Sequence, residues 1–501
     1  MLKRSRALAS VAVIAVITGM GAPAWAETLK DALALAYQTN PSLLAQRANQ
    51  RALDESIVQA RAGLRPQVDV SVSANYSRSD SPVIGTPPFS SGGVSESDSG
   101  GVSIGLSQTL WSAGRIGHGI SAAEANILAG RENLRDIEQT VLASVIQAYA
   151  DVIRDGEILT IRQSNLGVLQ RQLEEASARF EVGEITRTDV AQSESRLAQS
   201  EADLANARAQ LSVSRAAYAA VVGQAPGDLA PMPVLPGIPT DFDNALDVAL
   251  DDNPAIRSAA YSQAAAEANV AAAKAEYLPS ARLTASYGGS TGELSALNDI
   301  VDNTRFQAGA TLSVPLFTGG LNRSRVAQAL ERANVAQINV EGERRNTLQS
   351  VSSAYAQSIS SRATLQAGEE AVRAATVAAE GVRQEAQVGL RTTLDVLNQE
   401  LELRNAQISL ASARRNEYVA QANLLASMGR LEGQDLDAAL SVYDPTTNYD
   451  RVRNRGALPW DGIVEIIDRL VAPAVVPAND AADAPIDVQL KSEVVMTAPR
   501  D

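Results

Sequence analysis

The chain has no cysteine and one histidine, His118, in 501 residues. The missing cysteines exclude disulfides, thiolate metal sites, thiol catalysis and an N-terminal lipid-modified Cys. The single histidine argues against a multi-His metal site or a Ser-His hydrolase. Aromatics make up only 4% while hydrophobic residues reach 45%. The apolar content is therefore aliphatic and rich in Ala, which favours helices with small faces over an aromatic-rich sandwich. Positive charge is also short: 43 Lys and Arg against 58 Asp and Glu leave a net charge of −15. That balance argues against a nucleic-acid partner, which selects a basic face. No cofactor or metal is expected, and no catalytic constellation presents itself.

Residues 1–26 read as a signal peptide. Lys3, Arg4 and Arg6 precede an apolar run from Ala7 to Ile17, and Ala24-Trp25-Ala26 is a small-x-small cleavage pattern. Removing them leaves a charge of −18. No later segment holds 18 consecutive apolar residues, so no transmembrane helix is expected. The mature chain is soluble outside the cytoplasm or crosses a membrane as strands.

Most of the mature chain is one unit written twice. Ala32-Leu33 and Asn40-Pro41 return as Ala245-Leu246 and Asn253-Pro254, 213 residues on, and Pro66 returns as Pro279. Beyond the first hairpin the offset is 206: Trp111 matches Phe317, Gly183 matches Gly389, and Asp189-Val190 matches Asp395-Val396. The period is too long for a solenoid unit and marks a duplicated domain. The two repeats span residues 27–236 and 237–435.

Each repeat opens with a helix, N-capped by Asn40 or Asn253 with Pro at the first helical position. A period-two pattern comes next. Val68, Val70, Val72, Ala74 and Tyr76 alternate with polar residues, as do Val102, Ile104 and Leu106. This predicts strands over about 66–77 and 101–111, joined by a Gly/Ser/Pro-rich loop at 78–100. The second repeat predicts strands over about 279–288 and 305–315, with a loop at 288–305. Proline is then absent between Ser112 and Ala225, and between Leu316 and Asp444. Those spans predict long helical hairpins over about 113–222 and 319–428, reversing at Gly183 and Gly389. Val190, Leu197, Leu204, Leu211 and Tyr218 recur every seven residues, a coiled-packing signature. From 436 to 501 the pattern fades, and the Ala/Pro-rich end from 472 reads as disordered.

Strands of about ten residues with one apolar face suit a membrane β-barrel, the alternative being a soluble β-domain. Four strands cannot close, and open edges are not tolerated in lipid. Copies of the chain must therefore pool strands. Two copies would give a barrel filled by its own side chains, and three would give twelve strands and room for water. Trp111 and Phe317 close matching strands, where they are candidate membrane-interface aromatics or local core.

The order Arg179-Phe180-Glu181-Val182-Gly183 … Thr188-Asp189-Val190 carries a resemblance. So does its second-repeat counterpart, Val388-Gly389-Leu390-Arg391-Thr392 … Asp395-Val396-Leu397, together with Val314-Pro315-Leu316-Phe317-Thr318-Gly319-Gly320. Over residues 27–435 the chain resembles the TolC family of outer-membrane efflux and secretion channels. The resemblance implies a mainly α fold with a membrane β-barrel. A homotrimer would form one 12-stranded barrel in the outer membrane of a Gram-negative bacterium and an α-helical tunnel through the periplasm. It further implies a passive exit duct of a tripartite efflux pump or type I secretion system. A periplasmic adaptor and an inner-membrane transporter would dock at its tip, with outer-membrane lipid around the barrel. By motif position, the periplasmic gate would comprise Arg391, its acidic partner Asp189, and Asp395 pointing into the pore. Asn398 stands where the family's best-known member has a second Asp, and Ala386 where that member has a Tyr. From spacing alone, Arg391 and Asp395 could equally form a surface pair on one helix.

Two other classes compete on the residues alone. A periplasmic helical adaptor or scaffold would show one helical hairpin inside split β-domains, not two complete copies. An enzyme would have to work around His118 alone.

Overall fold

The computed structural model describes residues 26–84, 91–296 and 298–477. The expected signal peptide therefore lies outside the described residues up to Ala26, and the expected disordered end lies outside them beyond Pro477.

The first repeat begins with α1 (Leu29–Thr39) and α2 (Pro41–Ala62). Strands β1 (Gln67–Ile84) and β2 (Ser91–Trp111) come next, then the hairpin of α3 (Arg115–Glu181) and α4 (Arg187–Val222). The second repeat runs α5 (Phe242–Asp252), α6 (Pro254–Ala275), β3 (Ser280–Thr291), the single turn α7 (Asp299–Asp302) and β4 (Thr304–Ser313). The hairpin of α8 (Leu321–Gln387) and α9 (Thr393–Ser427) completes it. Among the described residues, three short helices come last: α10 (Gly433–Leu436), α11 (Thr446–Val452) and α12 (Asp461–Asp468).

The matched caps explain the matched starts. Asn40 Oδ1 accepts from the Ser42 and Leu43 amides, and Asn253 Oδ1 from the Ala255 amide. Their side-chain amides donate to Val221 and Ser427 carbonyls respectively, 3.0 Å in both cases. One residue thus starts a helix and pins the returning hairpin beside it. Helices α3 and α8 are 67 residues each, about 100 Å at 1.5 Å per residue. Burial along α4 follows the heptad toward its C-terminus, where Leu204, Leu211 and Tyr218 are buried while Val190 and Leu197 are only partly so. The largest core cluster lies there, joining α1, α3, α4 and α9 around Tyr149 and Tyr218. Among the described residues no helix is long and apolar enough to cross a membrane.

The four strands form one antiparallel sheet in the order β1-β2-β3-β4. Its register aligns side chains across all four. Val70 pairs with Ile104, Ile104 with Tyr287, and Tyr287 with Phe306. The next row toward the helices is Val68, Leu106, Ala285 and Ala308. The intervening row is Asp69, Gly105, Ser286 and Gln307, so the opposite face is polar and small. One face is therefore fit for lipid and the other for water. The edges β1 and β4 carry unpaired backbone groups.

The first hairpin corrects the expected strand ends. Residues 78–84 and 91–100, expected as loop, continue the ladder, and β1 and β2 reach 18 and 21 residues. This stretch lacks apolar alternation, the signal by which strands are read, yet a ladder needs only its backbone bonds and cross-strand pairs. Arg78 meets Glu96 at 3.1 Å, and Ser77 Oγ meets Ser97 Oγ at 2.8 Å. The second hairpin is shorter, with β3 running to Thr291 and α7 inside the expected 288–305 loop. The change of offset from 213 to 206 falls in this hairpin.

The segment after 436, where the sequence pattern fades, is built of short helices. It is ordered through α11 and α12 and lies along α2 and α3. Arg65 Nε donates to Asp461 at 2.9 Å, Asn448 donates to the buried Asp54 at 2.7 Å, and Arg455 pairs with Glu55 at 2.8 Å. Asp468 is fully buried, and its carboxylate accepts from the Ser112 amide (2.6 Å), Ser112 Oγ (2.7 Å) and the Gly117 amide (3.1 Å). It caps the start of α3, whose own N-cap, Gly114, has no side chain for the purpose. His118 belongs to the same contact. It bonds the Pro473 backbone, and burial pushes its pKa below the usual histidine value.

Candidate functional site

The far ends of the two helical hairpins are built alike. Gly183 and Gly389 hold φ of +78° and +79°, a left-handed conformation that glycine adopts without strain. The Glu184 amide returns to the Arg179 carbonyl and the Leu390 amide to the Glu385 carbonyl, both at 2.9 Å. These bonds close the helix ends and reverse the chain within a few residues. Thr186 and Thr392 then cap α4 and α9 in reciprocal boxes with Asp189 and Asp395. Each carboxylate accepts from both the backbone and the hydroxyl of its threonine, at 2.8–3.1 Å.

Those bonds hold both aspartates below the usual carboxylate pKa: the Thr186 hydroxyl first at Asp189, the Thr392 backbone first at Asp395. A depressed folded pKa contributes stability that is present above the unfolded value, about 3.9, and lost as pH falls through the folded value. The N-termini of α4 and α9 should therefore stay closed down to about pH 4 and fray only below it. Hydrogen exchange of peptides covering 183–192 and 389–398, corrected for intrinsic rates, checks this. Fraying already complete at about pH 5 would contradict it.

Arg391 sits in the second turn. Its Nε donates to Glu385 at 2.8 Å, and that contact raises its pKa. Within one chain Arg391 and Asp189 are not brought together, since each is engaged locally. Asp395 contributes only weakly to the field at Arg391. Arg391 borders a cleft of about 430 Å³ between α3 and α8, lined also by Arg171, Glu175, Arg179 and Arg383. Asn398 accepts from Arg196 Nη2 at 3.2 Å and so links α9 to α4. Arg383 bonds Glu400 across the second hairpin.

Several of these partners escaped the sequence. Glu385 lies six residues before Arg391, across a turn, outside the three- and four-residue helical spacings. Arg196 and Asn398 are 202 residues apart. The capping boxes went unread, although Thr followed three residues later by Asp is their signature. The turns also leave apolar side chains in water: Val182, Val388 and Leu390 are 71–75% exposed.

At the opposite end of the helices, Trp111 closes β2 opposite Ala281 and donates its indole N–H to the Leu470 carbonyl at 3.0 Å. Phe317 is 91% exposed beyond β4.

Comparison with known proteins gives one consistent result. The family model described as "Outer membrane efflux protein" matches residues 32–224 and 245–430, one segment per repeat. Outer membrane efflux protein BepC of Brucella suis is 34% identical over 464 residues, 92% of this chain and 97% of that one. Outer membrane protein TolC of Vibrio cholerae is 28% identical over 431 residues, 85% and 95% of the two chains. The CmeC outer membrane channel of Campylobacter jejuni superposes with a TM-score of 0.70 at 16% identity, covering 85% of this chain and 89% of that one.

Proposed function

Because the chain belongs to the outer membrane efflux protein family, we propose that it works as a homotrimeric, passive exit duct for an efflux pump or type I secretion system. It resides in the outer membrane and reaches into the periplasm. The observation that carries the reading is the sheet: one continuous apolar face, one polar face and two open edges. Joining β4 of one copy to β1 of the next closes twelve strands and removes every edge. The ring leaves a water-filled lumen facing the Asp69 and Gln307 row. The scaffold alternative has no use for a lipid-fit face. Energy comes from partners, since the duct itself holds no nucleotide or catalytic machinery in this reading.

The tip is the gate. In this reading Arg391, exposed beside Glu385, exchanges that partner for Asp189 of a neighbouring copy, and Asp395 contributes one carboxylate per copy to a ring. A single exposed pair contributes only about 0–1 kcal/mol, so three together bias a closed state that partners can still open. Val182, Val388 and Leu390 offer an apolar docking surface to a periplasmic adaptor, which an inner-membrane transporter would accompany. Trp111 and Phe317 mark the membrane interface. Single-channel recording in a KCl gradient tests the gate. Wild type should give small cation-selective steps, Arg391→Ser larger ones, and Asp395→Asn weaker selectivity. Equal conductance in wild type and Arg391→Ser trimers removes Arg391 from the gate.

A further inference from the structure

The C-terminal segment carries an apolar surface with no partner in the described part of the chain. On α12 and the residues after it, Ile463, Ile466, Ile467, Leu470 and Val471 are between 40% and 73% exposed. The acidic groups of the same segment are occupied. Asp461 holds Arg65, Asp468 is buried on Ser112 and Gly117, and Glu465 holds Arg469 at 3.1 Å. Only Val464 and Asp468 turn inward. The helix is therefore fastened by its polar side and shows water its apolar side, the reverse of an ordinary surface helix.

Its position names the occupant. Leu470 is tied through its carbonyl to the Trp111 indole. Trp111 pairs with Ala281 and Ala281 with Leu312, the lowest row of the apolar face of the sheet. The exposed patch thus continues the lipid-fit band past the end of the strands, where the helices begin. We infer that residues 460–476 form an interfacial foot that lies in the periplasmic leaflet of the outer membrane, with Ile463, Ile466, Ile467, Leu470 and Val471 dipped into the headgroup–acyl boundary. Trp460 begins the helix, and an indole suits that depth. The foot is fastened to β2 and α3, inboard of the edge strand β1 at which a neighbouring copy joins. A lipid surface therefore fits it better than a second chain does. The same contacts that bind the foot to the start of α3 would set the depth at which the tunnel leaves the membrane. Each chain supplies one foot, so the trimer would carry three. This inference rests on the reading of the sheet as a membrane barrel.

The absence of cysteine makes the test clean. Spin labels are placed on the full chain at Ile466→Cys, Val70→Cys and Val182→Cys, one per protein. Each trimer is reconstituted in phosphatidylethanolamine–phosphatidylglycerol vesicles. Collision rates with oxygen, which partitions into lipid, and with a water-soluble nickel chelate are then compared. The oxygen-to-nickel ratio at Ile466 should exceed that at Val182 at least fivefold and approach that at Val70. Ile467→Cys gives a second site should the first disturb the segment. A ratio at Ile466 equal to that at Val182 overturns the foot and leaves the barrel standing, as does a label shielded from both reagents, which would mean a second copy covers it. A water-like ratio at Val70 overturns the barrel itself and the foot with it.

Discussion

Ile104→Arg should abolish assembly in the outer membrane, whereas Ser103→Arg should assemble and narrow the duct. The two positions are neighbours on β2, but register places them on opposite faces. Ile104 stands in the row with Val70, Tyr287 and Phe306, and Ser103 opposite Ser71 and Gly288. Arginine on the lipid face near the bilayer midplane costs roughly 2–4 kcal/mol per copy. A trimer repeats that cost in every copy, so the assembled barrel carries roughly 6–12 kcal/mol in total, a penalty that falls on insertion and closure together. On the lumen face the same charge stays hydrated. The measurement is the yield of heat-modifiable trimer in outer-membrane fractions, followed by conductance of whatever assembles. If both variants assemble equally, the apolar row does not face lipid.

Asp468→Ala should free the C-terminal segment. The carboxylate satisfies two buried amides and one hydroxyl at the start of α3. Hydrogen bonds to a buried charged group contribute about 1.5–3 kcal/mol each, and the three are not additive, so a loss of about 3 kcal/mol is expected. That corresponds to roughly a hundredfold rise in the population of the opened segment. Trypsin reads the opening at Arg453, Arg455 and Arg469, and cleavage there should accelerate by about that factor while the helical tunnel stays intact. Asp468→Asn keeps one acceptor oxygen and should fall between. Unchanged cleavage in Asp468→Ala would mean that Arg65, Asn448 and the apolar contacts around Val464 hold the segment unaided.

Ile104 and Asp468 differ widely in how legible their roles were. The lipid face was readable because Val68 to Tyr76 alternate, and a period of two has only one structural meaning on a short run. The long hairpins were readable because proline is absent and glycine recurs at 183 and 389. Asp468 was not readable at all. It lies in a stretch of weak pattern, and its partners are 351 and 356 residues away. The polar arms of β1 and β2 were missed for a related reason: serine and glycine outnumber apolar residues there, and the pairing of Arg78 with Glu96 and Ser77 with Ser97 exists only once the strands are laid side by side.

At the tip the division is finer. Sequence determined the turn glycines and the positions of Asp189, Asp395 and Arg391, because helix reversal and capping are local and act within a few residues; that the aspartates cap their own helices appeared only in the structure. Tertiary structure decided that Arg391 rests on Glu385, that Asn398 answers to Arg196, and that the C-terminal segment binds the start of the first long helix. Those contacts depend on which helix face meets which, or on how a turn folds back on its own helix. A single periodic sequence states that a face is apolar or charged, but packing alone selects the neighbour it meets.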